Sequence, residues 1–175
     1  MILLISDQYR AMQAEMHATK RYGTAGYKQA ENVATLMRDV GAKELLDYGS
    51  GSRLSLKAGL DDLGATGFAY RPYEPAIPEY AGEPEPSQFV ACIDVLEHIE
   101  PECLDAVLDD LQRVTQGVGY FTVHCGPAGK HLPDGRNAHL IQEGPEWWLP
   151  KIMARFTLKI FQDSENGFAV VVTRK

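Results

Sequence analysis

Short apolar runs alternate with amphipathic stretches along this 175-residue chain, and this alternation restricts its fold more than any other feature. The runs KELLDYG, TGFAYRPY, SQFVACIDVL and GVGYFTVHC have the length and apolar character of buried strands. Helical patterns separate them, in DQYRAMQAEMHAT, YKQAENVATLMRDVG, RLSLKAGLDDLG, PECLDAVLDDLQRVT and PEWWLPKIMARF. TLKIFQD and FAVVVTRK flank an ENG turn and predict a closing hairpin. We therefore predict an α/β fold, a Rossmann-like and mostly parallel sheet with helices on both faces and a C-terminal antiparallel hairpin.

Length, charge and cysteine content narrow the class of protein. The length suits one domain, residues 1–175. A net charge of −7 argues against polyanion binding by charge alone, although a local basic patch could still contact nucleic acid. Cys92, Cys103 and Cys125 lack Cys-x-x-Cys spacing, so we expect reduced thiols in a cytoplasmic protein. The opening MILLIS is too short for a signal peptide or membrane span, and we expect a short strand or a packed segment there.

Ligands of such sheets bind at the carboxyl ends of the strands, and the first of these ends is followed by a glycine turn. Asp47, Gly49 and Gly51 lie between a strand and a helix whose first N–H groups are unpaired. The P-loop pattern is absent, and Leu54 stands where the dinucleotide pattern G-x-G-x-x-G has its third glycine. A ligand loop and a plain strand–helix turn both fit these residues.

Acidic residues follow the next two strand ends. Glu74 comes 23 residues after Gly51, near the roughly 20 expected for a carboxylate that binds ribose hydroxyls. The alternative is a solvated loop glutamate. Asp94, Glu97 and His98 end an otherwise apolar run, where a packed core would exclude them. Their alternative is the exposed start of the next helix.

Three segments, LLDYGSGSRLSL, YEP and VACIDVLEHIEPECLDAVLDDLQRV, resemble motifs of class I S-adenosylmethionine-dependent methyltransferases, and DVLEHI is the most specific part. The resemblance runs from about Leu45 to the C-terminus. HCGPAGKHLPDGRNAHLIQEGPEWWLPKI also resembles small methyltransferase-like proteins encoded by phages and prophages.

The resemblance implies S-adenosylmethionine as cofactor and a set of residues that bind it. Asp47, Gly49 and Gly51 would line its methionine and ribose part, and Glu74 would bind the ribose hydroxyls. Asp94 and Leu96 would flank the adenosine or open toward the substrate. The helical segment 1–42 would cover the site, with Tyr22 and Tyr27 as candidates.

Two departures from the family pattern concern the cofactor. Arg53 replaces the usual third glycine, so a side chain could crowd the loop. Only residues 75–88, rich in proline and glutamate, separate Glu74 from the next strand. The helix–strand unit that normally contributes an adenine contact must be missing or reduced, with Glu83 and Glu85 as the nearby carboxylates.

The polar loop 126–143 is long for a compact domain, and such loops are often functional. We expect His124, His139 and Asp94 to be catalytic, the histidines as bases for an acceptor that must lose a proton. Arg136, Asn137 and Trp148 are expected to bind the acceptor, since such side chains pair with or stack on a base; for Trp147 or Trp148 a core position is the alternative. His131 and His139 lack ligand-like spacing, so we expect no metal site.

These observations predict methyl transfer from S-adenosylmethionine to a small molecule, nucleotide or nucleobase. We expect a small-molecule or nucleotide partner, with nucleic acid open and no membrane. The first alternative is an inactive S-adenosylmethionine-binding or regulatory protein of this fold. The second is another nucleotide-binding enzyme, such as a nucleotide-sugar or NAD-linked protein.

Overall fold

The computed structural model describes residues 3–19 and 23–175. Within them the main elements are α1 (Asp7–Ala18), α2 (Ala25–Val40), β1 (Glu44–Tyr48), α3 (Ser55–Asp62), β2 (Ala69–Tyr73), β3 (Ser87–Ile93), α4 (Leu104–Val114), β4 (Thr115–His124), α5 (Pro145–Arg155), β5 (Phe156–Ser164) and β6 (Gly167–Arg174). Each strand and helix predicted from the sequence is present, and α5 continues through Pro150. Short 3-10 helices span Pro78–Tyr80, Leu96–His98 and Pro101–Cys103.

The strands form one sheet in the order β2-β1-β3-β4-β6-β5. The pairs β1–β2, β1–β3 and β3–β4 are parallel, whereas β6 runs antiparallel to both β4 and β5. The predicted fold class is therefore confirmed. Because β1 to β4 run in the same direction, their carboxyl ends meet at one edge of the sheet.

Helices cover both faces of the sheet. On one face α4 and α5 bury Leu108 and Trp148 against the strands, and on the other α2 and α3 bury Val33 and Leu60. Helices α2 and α3 lie close together, because a Cβ placed on Gly59 would come within 2.7 Å of the Ala30 Cβ.

The segment between β2 and β3 contains no α-helix or strand, only the 3-10 helix Pro78–Tyr80. Strand β2 is consequently the edge of the sheet. The expected loss of one helix–strand unit is confirmed, and its physical cause is the density of prolines, which cannot donate to a strand ladder and which destabilise the interior of a helix.

A third, smaller apolar cluster joins the N-terminal segment and α1 to the loop 126–143. Ile5, Tyr9 and Met12 pack against Leu132 and Ala138 of the loop. Of the two expectations for MILLIS, the packed segment is correct for its described part, residues 3–6, which form no strand. None of the described helices is long and apolar enough to cross a bilayer.

Candidate functional site

A cavity of about 510 Å³ opens at the carboxyl edge of the parallel strands. Its walls come from the turn after β1, the residues after β2 and β3, the end of β4, helix α1 and the loop 126–143. The wall residues used below are Tyr9, Gln13, His17, Asp47, Gly49, Gly51, Glu74, Asp94, His98, His124, Lys130 and His139. Residues at the carboxyl ends of parallel strands are expected to lie close together. The cavity confirms this proximity for Asp47, Glu74, Asp94 and His124.

The glycine turn after β1 requires glycine at Gly49. Its φ is +82°, and a Cβ there would lie 2.4 Å from Val95 Cγ2. The N–H groups of Gly49 and Ser50 both donate to the carbonyl of Tyr73, at 2.8 and 3.0 Å. The turn is therefore held against the end of β2, and its backbone forms part of the cavity wall.

Glu74 is buried beside this turn. Its Oε2 accepts a hydrogen bond from the Gly51 N–H at 3.3 Å, and its Oε1 accepts one from the Ala76 N–H at 3.1 Å. Burial raises the pKa of Glu74, and these two N–H donors lower it in part. His17 Nε2 of α1 lies 3.7 Å from Oε2. Burial lowers the pKa of His17 to about 4, so at neutral pH an uncharged imidazole faces this carboxyl group.

Asp47 is the second buried carboxyl group of the wall. Burial raises its pKa to about 7, a hydrogen bond donated by the Tyr70 hydroxyl works in the opposite direction, and the charge of Glu74 raises the pKa further. Asp47 lies opposite Pro72 of β2, and Glu74 directly follows that strand, so both acidic groups line one cavity at the same edge of the sheet.

Asp94 follows β3 with a φ of +51°, which is rare for a residue with a side chain. Its N–H donates to the Thr122 carbonyl and hydroxyl, and that hydroxyl donates to Asp94 Oδ1 at 2.6 Å. Strained backbone that neighbours hold in place is typical of functional sites. Here it turns the carboxylate of Asp94 to the edge of the cavity.

Three histidines form the wall near β4. The rings of His98 and His139 are 4.7 Å apart, and those of His124 and His139 are 4.9 Å apart. Nδ1 of His139 lies 2.7 Å from the Gly126 carbonyl, whereas Nδ1 of His124 lies 3.1 Å from the Gly126 nitrogen and 3.2 Å from its oxygen. Burial lowers the pKa of His139, which keeps its imidazole neutral and able to accept a proton at neutral pH.

Two expected cofactor residues lie away from the cavity lining. Leu96 is fully buried in the core of the face covered by α4 and α5. Tyr27 is 51% exposed, and its hydroxyl donates to Asp62 on the outer side of α3. The expected contacts of both are corrected, because neither side chain borders the cavity. Tyr22 lies outside the described residues.

The expected acceptor residues also lie elsewhere. Trp148 is 0% exposed and packs in the core, which was the alternative considered for one of the tryptophans. Arg136 forms an ion pair of 2.8 Å with Asp134 on the outside of the loop. Asn137 braces the loop, since its side chain exchanges two hydrogen bonds of 2.9 Å with the backbone of Ala128. None of the three lines the cavity.

The residues at the two departures from the family pattern, Arg53, Glu83 and Glu85, all lie outside the cavity lining. Arg53 is exposed and outside the lining, so its side chain does not fill the cavity. Glu83 and Glu85 are exposed and outside it as well, so the described residues offer no adenine-binding carboxylate at 75–88.

Sequence reasoning missed the contribution of individual α1 residues. Tyr9, Gln13 and His17 recur every four residues, so they share one helix face, and that face lines the cavity. The signal was present: two polar side chains, Gln13 and His17, occupy the face that the periodicity assigns to the interior. Lys130 of the loop also lines the cavity and was not selected.

Comparison with solved structures relates this geometry to known proteins. The chain matches 1,6-didemethyltoxoflavin-N1-methyltransferase of Burkholderia thailandensis, solved with 1,6-didemethyltoxoflavin and S-adenosylhomocysteine, with a TM-score of 0.67 and 15% identity over 99% of this chain and 92% of the other. It matches DhpI, solved as a complex with SAH, with a TM-score of 0.51 and 15% identity over 95% and 93% of the two chains. It also matches an O-methyltransferase family protein from B. thailandensis, with a TM-score of 0.62 and 11% identity. That match covers 85% of this chain and 55% of the other.

These likenesses establish the fold as that of S-adenosylmethionine-dependent methyltransferases. Neither a protein-family model nor a curated protein sequence matches the chain. At identities of 11–15%, the likeness shows the fold alone.

Proposed function

We propose that this protein is an S-adenosylmethionine-dependent methyltransferase that acts on a small-molecule acceptor. The observation that carries the proposal is that the glycine turn at Gly49–Gly51 and the carboxyl group of Glu74 face one cavity. Its volume of about 510 Å³ lies within the range of small-ligand sites. The same fold holds S-adenosylhomocysteine in the B. thailandensis enzyme and SAH in DhpI.

The residues present fit the nucleoside and amino-acid parts of such a cofactor. The turn offers glycine backbone that a ligand can approach closely, with Asp47 beside it. Glu74 has two carboxyl oxygens, each of which already accepts one backbone hydrogen bond and keeps a second lone pair for a ribose hydroxyl. His17 is neutral at physiological pH and therefore is not itself a cation that competes for Glu74. The cofactor supplies an intrinsically reactive methyl group when bound.

The other wall of the cavity would receive the acceptor. His124, His139 and Asp94 lie there, and an imidazole can take a proton from a hydroxyl or amine acceptor. The N-terminal segment and helix α1 contact the loop 126–143 beside the cavity through Ile5, Tyr9 and Leu132, and this contact would exclude water. This enclosure and the net charge of −7 favour a small molecule over a nucleic acid.

A cofactor-binding protein without catalysis is the second candidate. The observation in its favour is the segment between β2 and β3, which has lost a helix–strand unit and keeps Glu83 and Glu85 outside the cavity. The cytoplasmic location and the phage or prophage origin stay predictions; the three free cysteines agree with a reducing compartment.

Calorimetry with S-adenosylmethionine, S-adenosylhomocysteine and NAD tests the cofactor. We expect binding of the first two and none of NAD. Glu74→Ala should weaken S-adenosylhomocysteine binding at least tenfold, because the ribose hydroxyls lose their acceptor. Glu79→Ala is the matched control, since Glu79 is an exposed glutamate of the same segment outside the cavity. Equal affinities of the two variants would contradict the assignment of Glu74.

Incubation with methyl-labelled cofactor and fractionated metabolites separates the enzyme from the binder. Label in a small-molecule fraction that disappears with His124→Ala supports the acceptor wall proposed here. Tight cofactor binding with no label in any fraction supports the binding protein.

A further inference from the structure

Two imidazoles of the cavity wall and a buried carboxylate behind them form a cluster that the proposed methyl transfer does not fully use. A carboxylate oxygen of Glu97 and one ring nitrogen each of His98 and His139 all lie within 4.8 Å of one another. Glu97 follows β3 in the 3-10 helix Leu96–His98, and the loop 126–143 carries His139 to it. The backbone bond from the Ile141 N–H to the Glu97 carbonyl, 3.0 Å, fixes this end of the loop.

Glu97 is the unusual member of the cluster. Its side chain is 0% exposed, and its Oε1 accepts a hydrogen bond from the His124 N–H at 2.9 Å. Its Oε2 is buried and has no hydrogen-bond partner among residues 3–19 and 23–175. Buried polar atoms without a partner are rare because their desolvation is not compensated, and such an atom in a carboxyl group close to two imidazoles points to a missing ligand.

The two histidines are oriented as metal-binding histidines are. Nδ1 of His98 lies 2.7 Å from the Ala138 carbonyl, and Nδ1 of His139 lies 2.7 Å from the Gly126 carbonyl. A carbonyl only accepts, so each neutral ring carries its proton on Nδ1 and has its lone pair on Nε2. A backbone carbonyl that fixes the tautomer in this way is the usual outer contact of a metal-ligating histidine. His124 lacks this feature, since its Nδ1 faces both the N–H and the carbonyl of Gly126.

We propose that Glu97, His98 and His139 bind one divalent first-row transition-metal ion. Two imidazoles and one carboxylate suit Zn²⁺, Fe²⁺, Co²⁺ or Mn²⁺ and leave coordination positions open. Bonds of about 2.1 Å bring ligand atoms to roughly 3–4 Å from one another, so the ion would draw the three side chains together by about 1 Å.

The role of the ion rests on the proposed function. His98 and His139 line the cavity together with the cofactor-binding turn, so the open positions would face the acceptor. An oxygen or nitrogen of the acceptor could bind there and be positioned for methylation. With the ion bound, Nε2 of His139 is occupied and the role of base falls to His124 alone.

Titration of the metal-free full chain with Co²⁺, followed by visible absorption and repeated with Zn²⁺ by calorimetry, tests the proposal. We expect one ion per chain. His98→Ala, His139→Ala and Glu97→Gln should each weaken Co²⁺ binding at least tenfold. His131→Ala is the matched control, because His131 belongs to the same loop but is exposed and outside the cluster, and it should bind Co²⁺ as the wild type does.

Two further measurements complete the test. Thermal unfolding of each variant shows that it folds, and adding Zn²⁺ should raise the melting temperature of the wild type and His131→Ala but not of the three cluster variants. Absence of Co²⁺ and Zn²⁺ binding to the wild type, or binding unchanged in both His98→Ala and His139→Ala, would overturn the proposal. Glu74→Ala should lose S-adenosylhomocysteine and keep Co²⁺, so failure of the metal site and failure of the cofactor site are distinguishable.

Discussion

The backbone N–H of Gly51 donates a hydrogen bond of 3.3 Å to Oε2 of Glu74, 23 residues further along the chain. This bond joins the turn after β1 to the residue after β2, and the Ala76 N–H holds the other oxygen of the same carboxyl group at 3.1 Å. The two features that the sequence marked separately, a glycine turn and a carboxylate, are therefore one structural unit.

This unit predicts that Glu74→Gln destabilises the protein although it removes a buried charge. Both oxygens of Glu74 accept from backbone N–H groups, so the amide NH₂ of glutamine would face one of two donors and leave it unpaired. We expect a loss of about 1–3 kcal/mol in the free energy of unfolding, measured with urea. Glu79→Gln, on the exposed 3-10 helix, should change it by less than about 0.5 kcal/mol. A variant as stable as the wild type would show that the two bonds do not matter.

His17 predicts a loss of stability in mild acid. Its pKa is about 4 in the folded protein because of burial, below its ordinary value of 6.5. As the pH falls from about 6.5 to 4, His17 is protonated in the unfolded chain but stays neutral in the folded protein. Folding therefore becomes less favourable. His17→Gln cannot titrate, so the stability of the wild type relative to this variant should fall by about 2–3 kcal/mol between pH 7.5 and 4.5. Urea unfolding at both pH values measures this, and a constant difference would contradict the buried neutral histidine.

Asp47 predicts a change of the opposite sign. Burial raises its pKa to about 7, so the folded protein holds a proton that the unfolded chain has released above its ordinary value near 4. The contribution of Asp47 to stability is present below pH 4 and is lost as the pH rises to about 7. Asp47→Asn should therefore unfold at a higher temperature than the wild type at pH 8 and at a similar one at pH 4. Asparagine keeps an acceptor for the Tyr70 hydroxyl.

Asp47→Asn also tests whether Asp47 binds the cofactor at the expense of stability. If Asp47 binds the cofactor, Asp47→Asn should bind S-adenosylhomocysteine more weakly by calorimetry while it gains stability at pH 8. Unchanged affinity together with higher stability would assign Asp47 a purely structural role.

The acidic residues at the strand ends were predictable from the sequence. The residues that the loop 126–143 and its neighbouring helix bring to the cavity were predictable only in part. Asp47, Glu74 and Asp94 terminate apolar runs, and parallel strands bring such ends together by necessity. Trp148 could not be assigned in the same way, because a tryptophan beside a polar loop has the same sequence signal whether its helix turns it to the core or to the cavity. His139 meets Glu97 only through the path of the loop, which depends on long-range bonds such as that from Ile141.

Leu54 shows a second limit of pattern matching. It occupies the third glycine position of the dinucleotide pattern, where glycine allows the helix to pack closely on the strand. Leu54 adopts a φ of +47°, a left-handed conformation that is uncommon for a residue with a side chain. The pattern could not predict this conformation, because it records residue types and not backbone angles.

Gly49 predicts a large steric cost for a single methyl group. Gly49→Ala combines an unfavourable φ of +82° with a Cβ only 2.4 Å from Val95 Cγ2, and we expect a loss above about 3 kcal/mol in the free energy of unfolding. Gly41→Ala is the matched control, since φ is +67° there but nothing lies within 4 Å of the added Cβ, and it should cost about 1 kcal/mol. Val95→Ala combined with Gly49→Ala should recover part of the loss, whereas a simple sum of the two costs would exclude this contact as the cause.

Tyr9 predicts how firmly α1 closes the cavity. Its hydroxyl donates to the His98 carbonyl at 2.5 Å and accepts from Gln13 Nε2 at 2.6 Å, so one side chain ties the helix to the wall of the site. Tyr9→Phe removes that hydroxyl with little change in packing, and both buried partners lose a hydrogen bond.

For Tyr9→Phe we expect faster amide hydrogen exchange in α1 and weaker binding of S-adenosylhomocysteine, with exchange in β3 and β4 unchanged. Tyr27→Phe, which removes an exposed hydroxyl bonded to Asp62, should leave both measurements at the wild-type value. Amide exchange in α1 of Tyr9→Phe at the wild-type rate, together with weaker S-adenosylhomocysteine binding, would contradict this prediction. Tyr9 would then contact the ligand directly instead of fixing the helix.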